Sequence, residues 1–522
     1  MSQLMTISDA VQTHARLHPQ RMAARDSRRS LSYKDLDERA GKLASALRDL
    51  GLQQGDRVAV LAYNCVEWME LYVGLARAGL VAVPLNFRLS GPEIEYILTD
   101  CRTSCMIAGG DFTSVVDSVR GQLALPEGRF IALGNSIPAG WVAYESIIAR
   151  GVWPCEFDAV AAEDMCALMY TSGTTGRPKG AIRQHEGSTL IAMATALEMG
   201  FTRDDIALLV MPLCHANSLY FATTFLHVGG ACIIDDSKSF SPENLLQILS
   251  KDKVTFTSLV PTHYIMILSL PEEVKAKYDM SSVGKLLISS APARKDTKLA
   301  ILEYFKNGKL YELYGSTEAG WVTLLRPEEQ ISKLGSVGRE WAGSGAIRIL
   351  DEQGAEVADG EVGELFSRTS YVFSGYWQNE AKTKEAFRGA WCSVGDMARR
   401  DEDGYIWLVD RKSNMIISGG ENIYPSEVEA AVGAHPSVKD VAVIGVPHDK
   451  WGETVQAVVV LHHGHQLTDV ELKTWCRERL AGFKCPTSIV FIQDDEMPRT
   501  ATGKILHRIL RQKLVSATAA VA

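Results

Sequence analysis

The sequence predicts an α/β protein: a large N-terminal domain of helix-covered sheets with a β-rich portion near its end, followed by a small mobile C-terminal α+β domain. Three observations carry this expectation. Short apolar runs alternate with segments of helical period over most of the chain, which implies largely parallel, covered sheets. Around Ile347 to Leu365 the pattern changes to short strands separated by turns at Gly354 and Asp359-Gly360. Beyond Asp410-Arg411 it resets to a compact α/β unit. The 522 residues, 46% of them hydrophobic, correspond to three or four folding units at roughly 150 residues each.

Leu36, Ala40, Leu43, Leu47 and Leu50 recur at helical spacing, with Ser32 and Asp35 placed as a capping box and Gly51 as a stop. Arg57 to Tyr63 then reads as a strand, Val66 to Ala78 as a helix and Leu80 to Pro84 as a strand. Ile206 to Met211 and Gly230 to Ile234 read as further buried strands. In the C-terminal part a helix over Ser426 to Val432 precedes strands at Asp440 to Gly445 and Val455 to Leu461. A helix from Thr468 to Leu480 and a strand from Ser488 to Ile492 complete it. The expected division is a large domain over 1–410, a hinge at 411–414 and a small domain over 415–522.

Composition excludes several classes. The net charge is −9, with 54 Lys+Arg spread along the chain, which argues against nucleic acid as a partner. Anionic ligands must therefore be held by local sites. The ten cysteines are scattered and show no metal-ligand spacing, as expected of free thiols in a reducing compartment. Met1 to Leu17 lacks a basic stretch followed by an apolar one, so no signal peptide is expected. The most apolar region, Val58 to Leu85, is interrupted by Asn64, Glu67, Glu70, Arg77 and Pro84, whereas a membrane helix needs roughly 20 mostly apolar residues. A cytoplasmic chain without a membrane span is expected, and a homodimer is the assembly considered.

The strongest local signal runs from Tyr170 to Gly180: Tyr-Thr-Ser-Gly-Thr-Thr-Gly-Arg-Pro-Lys-Gly. Gly173 and Gly176 let successive backbone N–H groups converge. The hydroxyls of Thr171, Ser172, Thr174 and Thr175 add donors, and Lys179 adds a point charge. Together they form a cradle for a polyphosphate. The G-x-x-x-x-G-K-[ST] spacing of a P-loop is absent.

This string closely resembles the signature of the adenylate-forming superfamily, which includes acyl- and aryl-CoA synthetases, peptide-synthetase adenylation domains and firefly-type luciferases. The resemblance continues in order through Met211-Pro-Leu-Cys-His215, Tyr311 to Glu318, Gly360 to Leu365, Trp391 to Asp396, Asp410-Arg411, Gly419 to Pro425 and Pro498 to Lys504. It implies an AMP-forming ligase that activates a carboxylic acid with ATP and Mg²⁺, releases pyrophosphate and passes the acyl group to the thiol of coenzyme A.

The resemblance also assigns roles. Glu318 would hold the metal ion that bridges ATP phosphates, and an anionic oxygen suits such a hard cation. Tyr314 and Gly315 would flank the adenine together with Ser290 and Ala291, and Thr317 would contact phosphate. Asp396 would accept the ribose hydroxyls with Arg411 assisting, since two hydroxyl donors call for an acceptor carboxylate. Lys504 would be catalytic, stabilising charge that gathers on the α-phosphorus. His215 would gate the path between acyl site and thiol. Gly419 and Gly420 would admit the pantetheine arm of coenzyme A.

Two departures stand out. Ser413 occupies a hinge position where relatives usually show Asp or Lys, and Ser289-Ser290-Ala291-Pro292 replaces a Gly-Ala-Ala-Pro pattern. Tyr220, Val260, Ser289 and Trp321 are the acyl-pocket candidates and point to a mid-sized apolar acid, with fatty, aryl and alicyclic acids all open. The rival expectations are a carrier-protein thiol as acceptor, and a phosphoryl-transferring ATPase or kinase that would use the same loop.

Overall fold

Local signals in the sequence act where they are placed. In the computed structural model, which describes residues 5–171, 178–289, 293–418, 421–448, 451–500 and 503–519, Ser32 caps the helix Tyr33–Asp49. Ser32 and Asp35 exchange both capping-box bonds. Gly51 closes the helix at φ +86°, a left-handed conformation that favours glycine. The strand Arg57–Leu61, the helix Glu67–Arg77 and the strand Val81–Pro84 follow within a residue or two of their expected bounds. The two strands read as continuous apolar runs because they lie inside a parallel sheet, buried on both faces.

The chain forms two compact units. The first comprises residues 1–347 and 367–392. It contains a nine-stranded sheet, whose order runs from Arg339–Glu340 through Gly320–Leu325, Lys309–Ser316, Lys285–Ile288, Phe256–Leu259, Ile206–Leu209 and Ala231–Ile234 to Met22–Arg25 and Ser30–Ser32. The five strands from Ala231–Ile234 to Lys309–Ser316 are mutually parallel. A seven-stranded sheet runs from Val142–Ala143 to the antiparallel pair Met165–Thr171 and Lys179–Gln184. The largest apolar cluster joins helices Tyr33–Asp49, Glu67–Arg77 and Ala216–Val228 to both sheets. Smaller clusters cover the opposite faces of each.

The second unit comprises residues 348–366 and 393–522. A four-stranded antiparallel sheet orders Arg348–Leu350, Gly363–Phe366, Asp396–Arg400 and Ile406–Arg411. A five-stranded sheet contains the long hairpin Val438–His448 and Gly452–Leu461, with Ser488–Phe491 parallel to its second strand. The helices Pro425–Gly433 and Asp469–Arg477 pack their apolar residues onto one face of this sheet. Met497 and Leu510 close the other. The compact division therefore departs from a cut at 410. Segments 348–366 and 393–410 group with the C-terminal residues because the strand Ile406–Arg411 pairs with them and runs directly into the turn Lys412–Asn414. No helix among the described residues is long and apolar enough to cross a membrane.

A buried ionic cluster ties the N-terminal helices together. Glu70 is fully buried and accepts from Arg29 at 2.7 Å, Arg39 at 2.8 Å and the Tyr144 hydroxyl at 2.9 Å. Burial is the main influence on the Glu70 carboxyl and raises its pKa, with the two arginines opposing. Removing the carboxylate deprives two partly buried arginines and the buried Tyr144 hydroxyl of their shared acceptor. Glu70→Ala is expected to lose about 3 kcal/mol of stability, and the well-packed Glu70→Met less, as read from urea unfolding midpoints.

Candidate active site

Glu318 sits at the tip of the hairpin formed by Lys309–Ser316 and Gly320–Leu325. The turn is pinned by Ser316 Oγ, which accepts from Ala319 N at 2.9 Å. Gly320 adopts φ +73°, and a Cβ there would meet the Tyr371 ring at 2.6 Å, so only glycine completes the turn. The Glu318 side chain is buried. Its Oε1 accepts from Thr171 Oγ1 at 3.1 Å and from the Tyr376 hydroxyl at 2.9 Å. Thr171 ends the strand that leads into the phosphate-loop motif, so the carboxylate lies at the mouth of that loop.

Lys179 begins the returning strand, with its Nζ 4.1 Å from the centroid of the Tyr376 ring. The π face favours the ammonium and holds it beside the carboxylate's partner. Beneath them Arg183, fully buried, donates to the backbone oxygens of Thr317 at 3.3 Å, Glu318 at 3.4 Å and Tyr371 at 2.7 Å. Neither Tyr376 nor Arg183 was anticipated. Arg183 had a usable signal, a guanidinium directly after the run Gly180-Ala-Ile; Tyr376 had none. Tyr314 and Gly315 lie half-buried on the same hairpin as Glu318, at a bulge in its register, with Thr317 at the turn. Ser172, Gly173, Thr174, Thr175 and Gly176 lie outside the described residues, as do Ser290, Ala291, Gly419 and Gly420.

The acyl-pocket candidates gather at the C-terminal ends of parallel strands, where open α/β sheets bind ligands. Val260 and Ser289 directly follow the paired strands Phe256–Leu259 and Lys285–Ile288. Ser289 accepts from Asn217 Nδ2 at 2.7 Å and lies 3.4 Å from Ser258 Oγ. Asn217 and Tyr220 occupy the first turns of the helix Ala216–Val228, and Tyr220 meets Trp321 edge-on at 5.2 Å between centroids. Trp321 is also held by the core, since its Nε1 donates to Thr195 Oγ1 at 3.0 Å. His215 forms the N-cap of that helix. Burial, with the Arg88 charge adding to it, pushes its pKa down to about 4, so the ring is neutral at pH 7.

In the second unit, Asp396 and Arg411 face each other across paired strands, with Arg411 Nε 2.7 Å from Asp396 Oδ1. Lys504 belongs to the same unit. Its side chain is exposed, yet desolvation draws its pKa down first and the Arg411 charge second, while Asp396 and Asp410 oppose. Ser413 is exposed in the turn Lys412–Asn414. Asp410 braces that turn, accepting from Arg411 N at 2.6 Å, Asn414 Nδ2 at 3.2 Å and Ser426 N at 2.9 Å.

A buried carboxylate bonded to Thr171 at the start of the hydroxyl-rich motif and, in the second unit, a carboxylate–arginine pair fit a nucleotide-dependent acid-activating enzyme. Residues 11–377 match the model of the AMP-binding enzyme family and residues 427–504 that of the AMP-binding enzyme C-terminal domain. The chain belongs to this adenylate-forming family. A feruloyl-CoA synthase of Amycolatopsis sp is 37% identical over 500 residues, covering 96% of this chain and 97% of the relative. The solved anthranilate CoA ligase bound to anthranoyl-AMP superposes with a TM-score of 0.89 at 27% identity, covering 100% of this chain and 99% of that one. The O-succinylbenzoate coenzyme A synthetase of Bacillus subtilis, solved with ATP and magnesium, gives 0.83 at 27% identity, covering 96% and 98%.

The protein is an ATP-dependent, AMP-forming carboxylate–CoA ligase. The acid's carboxylate oxygen bonds to the α-phosphorus of ATP as pyrophosphate leaves. The thiol of coenzyme A then bonds to the acyl carbon as AMP leaves. ATP, Mg²⁺ and coenzyme A are its co-substrates and cofactor. The donor set fits the metal: both hydrogen bonds to Glu318 reach Oε1, and among the described residues none reaches Oε2, which leaves an anionic oxygen for a hard cation. When bound, Mg²⁺ neutralises phosphate charge.

Two outcomes follow from this geometry. Tyr376→Phe removes one of the two donors that orient Glu318 and is expected to raise KM for MgATP about fivefold, as read from pyrophosphate exchange. Below pH 6.5 an unfolded chain protonates its histidines, whereas buried His185 and half-buried His215 and His263 resist until about pH 4. Stability is therefore expected to fall as pH drops across that window and to be flat above it on their account. His215→Gln should shrink the drop in urea midpoint.

Proposed function

We propose that Lys504, Asp396 and Arg411 act on the same ATP whose triphosphate is gripped by the Thr171–Gly176 loop, Lys179 and Glu318. Asp396 accepts the ribose hydroxyls, and Arg411 fixes that carboxylate through the 2.7 Å contact. Lys504 meets the charge that builds on the α-phosphate and the incoming carboxylate as two anions are joined. An ammonium there lowers the barrier because the charge it faces is larger in the transition state than in the ground state. The observation that carries this reading is the Asp396–Arg411 pair, 2.7 Å apart across neighbouring strands of the unit that also carries Lys504.

His215, neutral at working pH, acts by shape rather than as a base, consistent with a gate; a coenzyme A thiol ionises with modest help near neutrality. Gly419 and Gly420 are assigned to the pantetheine arm. The turn around Ser413 serves as a hinge for residues 415–522 between the two half-reactions, the rotation being absorbed by a few backbone angles. Ten cysteines that form no disulfide support a reducing, cytoplasmic setting.

The acid we assign is an aryl or aryl-alkyl acid carrying a hydrogen-bonding substituent. Its candidate pocket is walled by Tyr220, Val260 and Trp321, and the buried Asn217 Oδ1 and His215 Nε2 lack hydrogen-bond partners. An aliphatic chain would leave these groups dry and unpaired, at about 1–3 kcal/mol each. The feruloyl, anthranilate and O-succinylbenzoate enzymes it resembles all act on aromatic acids, which supports the same class.

Two measurements test the proposal. Lys504→Ala is expected to slow pyrophosphate exchange by about 100-fold or more while leaving thioester formation from supplied acyl-adenylate intact. Unchanged exchange would remove the lysine from the chemistry. Across a panel of acids, hydroxy- and amino-substituted aryl acids should give the highest kcat/KM, and Asn217→Ala should erase their advantage over unsubstituted ones; a fatty acid outrunning them would overturn the assignment.

A further inference from the structure

The hairpin that carries Lys504 is tight but small. Leu506 N donates to Pro498 O at 2.9 Å, Thr500 N to Lys504 O at 2.7 Å and Lys504 N to Thr500 Oγ1 at 3.1 Å, with Arg499 and Ile505 bridged across it. These bonds fix its internal shape, while Met497, Ile505 and Leu510 pack its flanks against the C-terminal sheet. Two ionic clamps add to that hold. On the incoming leg Arg499 pairs with Asp440 and reaches Asp494 at 3.5 Å. On the outgoing leg His507 Nε2–H donates to Glu429 Oε1 at 2.6 Å. Glu429 is itself anchored, since Oε1 also accepts from Val443 N at 2.8 Å.

The two clamps differ in kind. Arginine is charged at every working pH, whereas histidine loses its charge near neutrality. We infer that His507 is a positioning residue, and that its ion pair with Glu429 holds the Lys504 hairpin in place for adenylation. The inference rests on the role proposed above for Lys504. The charged groups facing the imidazole are Glu429 from the helix Pro425–Gly433, Asp410 from the end of the strand Ile406–Arg411, and Lys504 from the hairpin itself. Burial lowers the affinity of His507 for its proton, and Lys504 adds to that, but Glu429 and Asp410 outweigh them and leave its pKa raised. The clamp is therefore closed below the ordinary histidine value of 6.5 and opens as pH rises through the raised one.

Pyrophosphate exchange against pH, with Mg²⁺, ATP and acid saturating, tests this on the full chain. In the unsubstituted protein kcat should fall about fivefold across the opening of the clamp, ahead of any limb due to Lys504. His507→Arg should hold the low-pH rate through that interval, and His507→Gln should run at the reduced rate throughout, with KM for ATP unchanged. Glu429→Gln, which keeps the hydrogen bond and removes the charge, should move the fall to lower pH. Thioester formation from supplied acyl-adenylate and the melting temperature should stay level in all three. The inference is overturned if His507→Gln retains the full exchange profile. It is also overturned if both half-reactions and the melting temperature drop together, the mark of a merely structural pair. Lys504→Ala reports separately, because full exchange in that variant would defeat the assignment of the lysine whatever His507 does.

Discussion

The first unit's chemistry depends on one buried carboxylate held by two hydroxyls. Glu318 Oε1 takes its bonds from Thr171, at the mouth of the phosphate loop, and from Tyr376, far along the chain. Three segments remote in sequence therefore meet at a single oxygen. A buried anion is tolerated only where donors replace the water it has lost. Arg183 supplies the next layer, gripping the carbonyls on either side of the turn and that of Tyr371. The orientation of the Glu318 carboxylate is therefore set by several segments together.

The sequence made the fold legible because its strands and helices follow local rules. The capping box at Ser32 and Asp35 forms as written, and the strands bracketing Glu67–Arg77 fall within a residue or two of their expected positions. Parallel strands buried on both faces leave continuous apolar runs, which are hard to misread. Grouping was less legible. The short strands after Ile347 read correctly as antiparallel, but which segments they would join depends on long-range pairing, and periodicity carries no record of it.

The site divided along the same line. Glu318, Asp396, Arg411 and Lys504 stood in motifs and could be named. The residues that orient them were hidden, because Tyr376 and Glu429 acquire meaning only when distant segments fold together. Trp321 shows the opposite ambiguity. A large aromatic in the sequence could line a pocket or fill a core, and here its indole nitrogen is bonded to Thr195 within the core while its ring meets Tyr220.

The bracing of Asp410 bears on how the turn around Ser413 can move. One carboxylate gathers donors from the strand end, from Asn414 within the turn and from the first turn of the helix Pro425–Gly433. Displacing the helix start strips the carboxylate of a charge-assisted donor and exposes it at once to solvent, so intermediate angles gain nothing from partial retention. The charge that holds the turn in this shape therefore sits on Asp410, three positions before the uncharged Ser413.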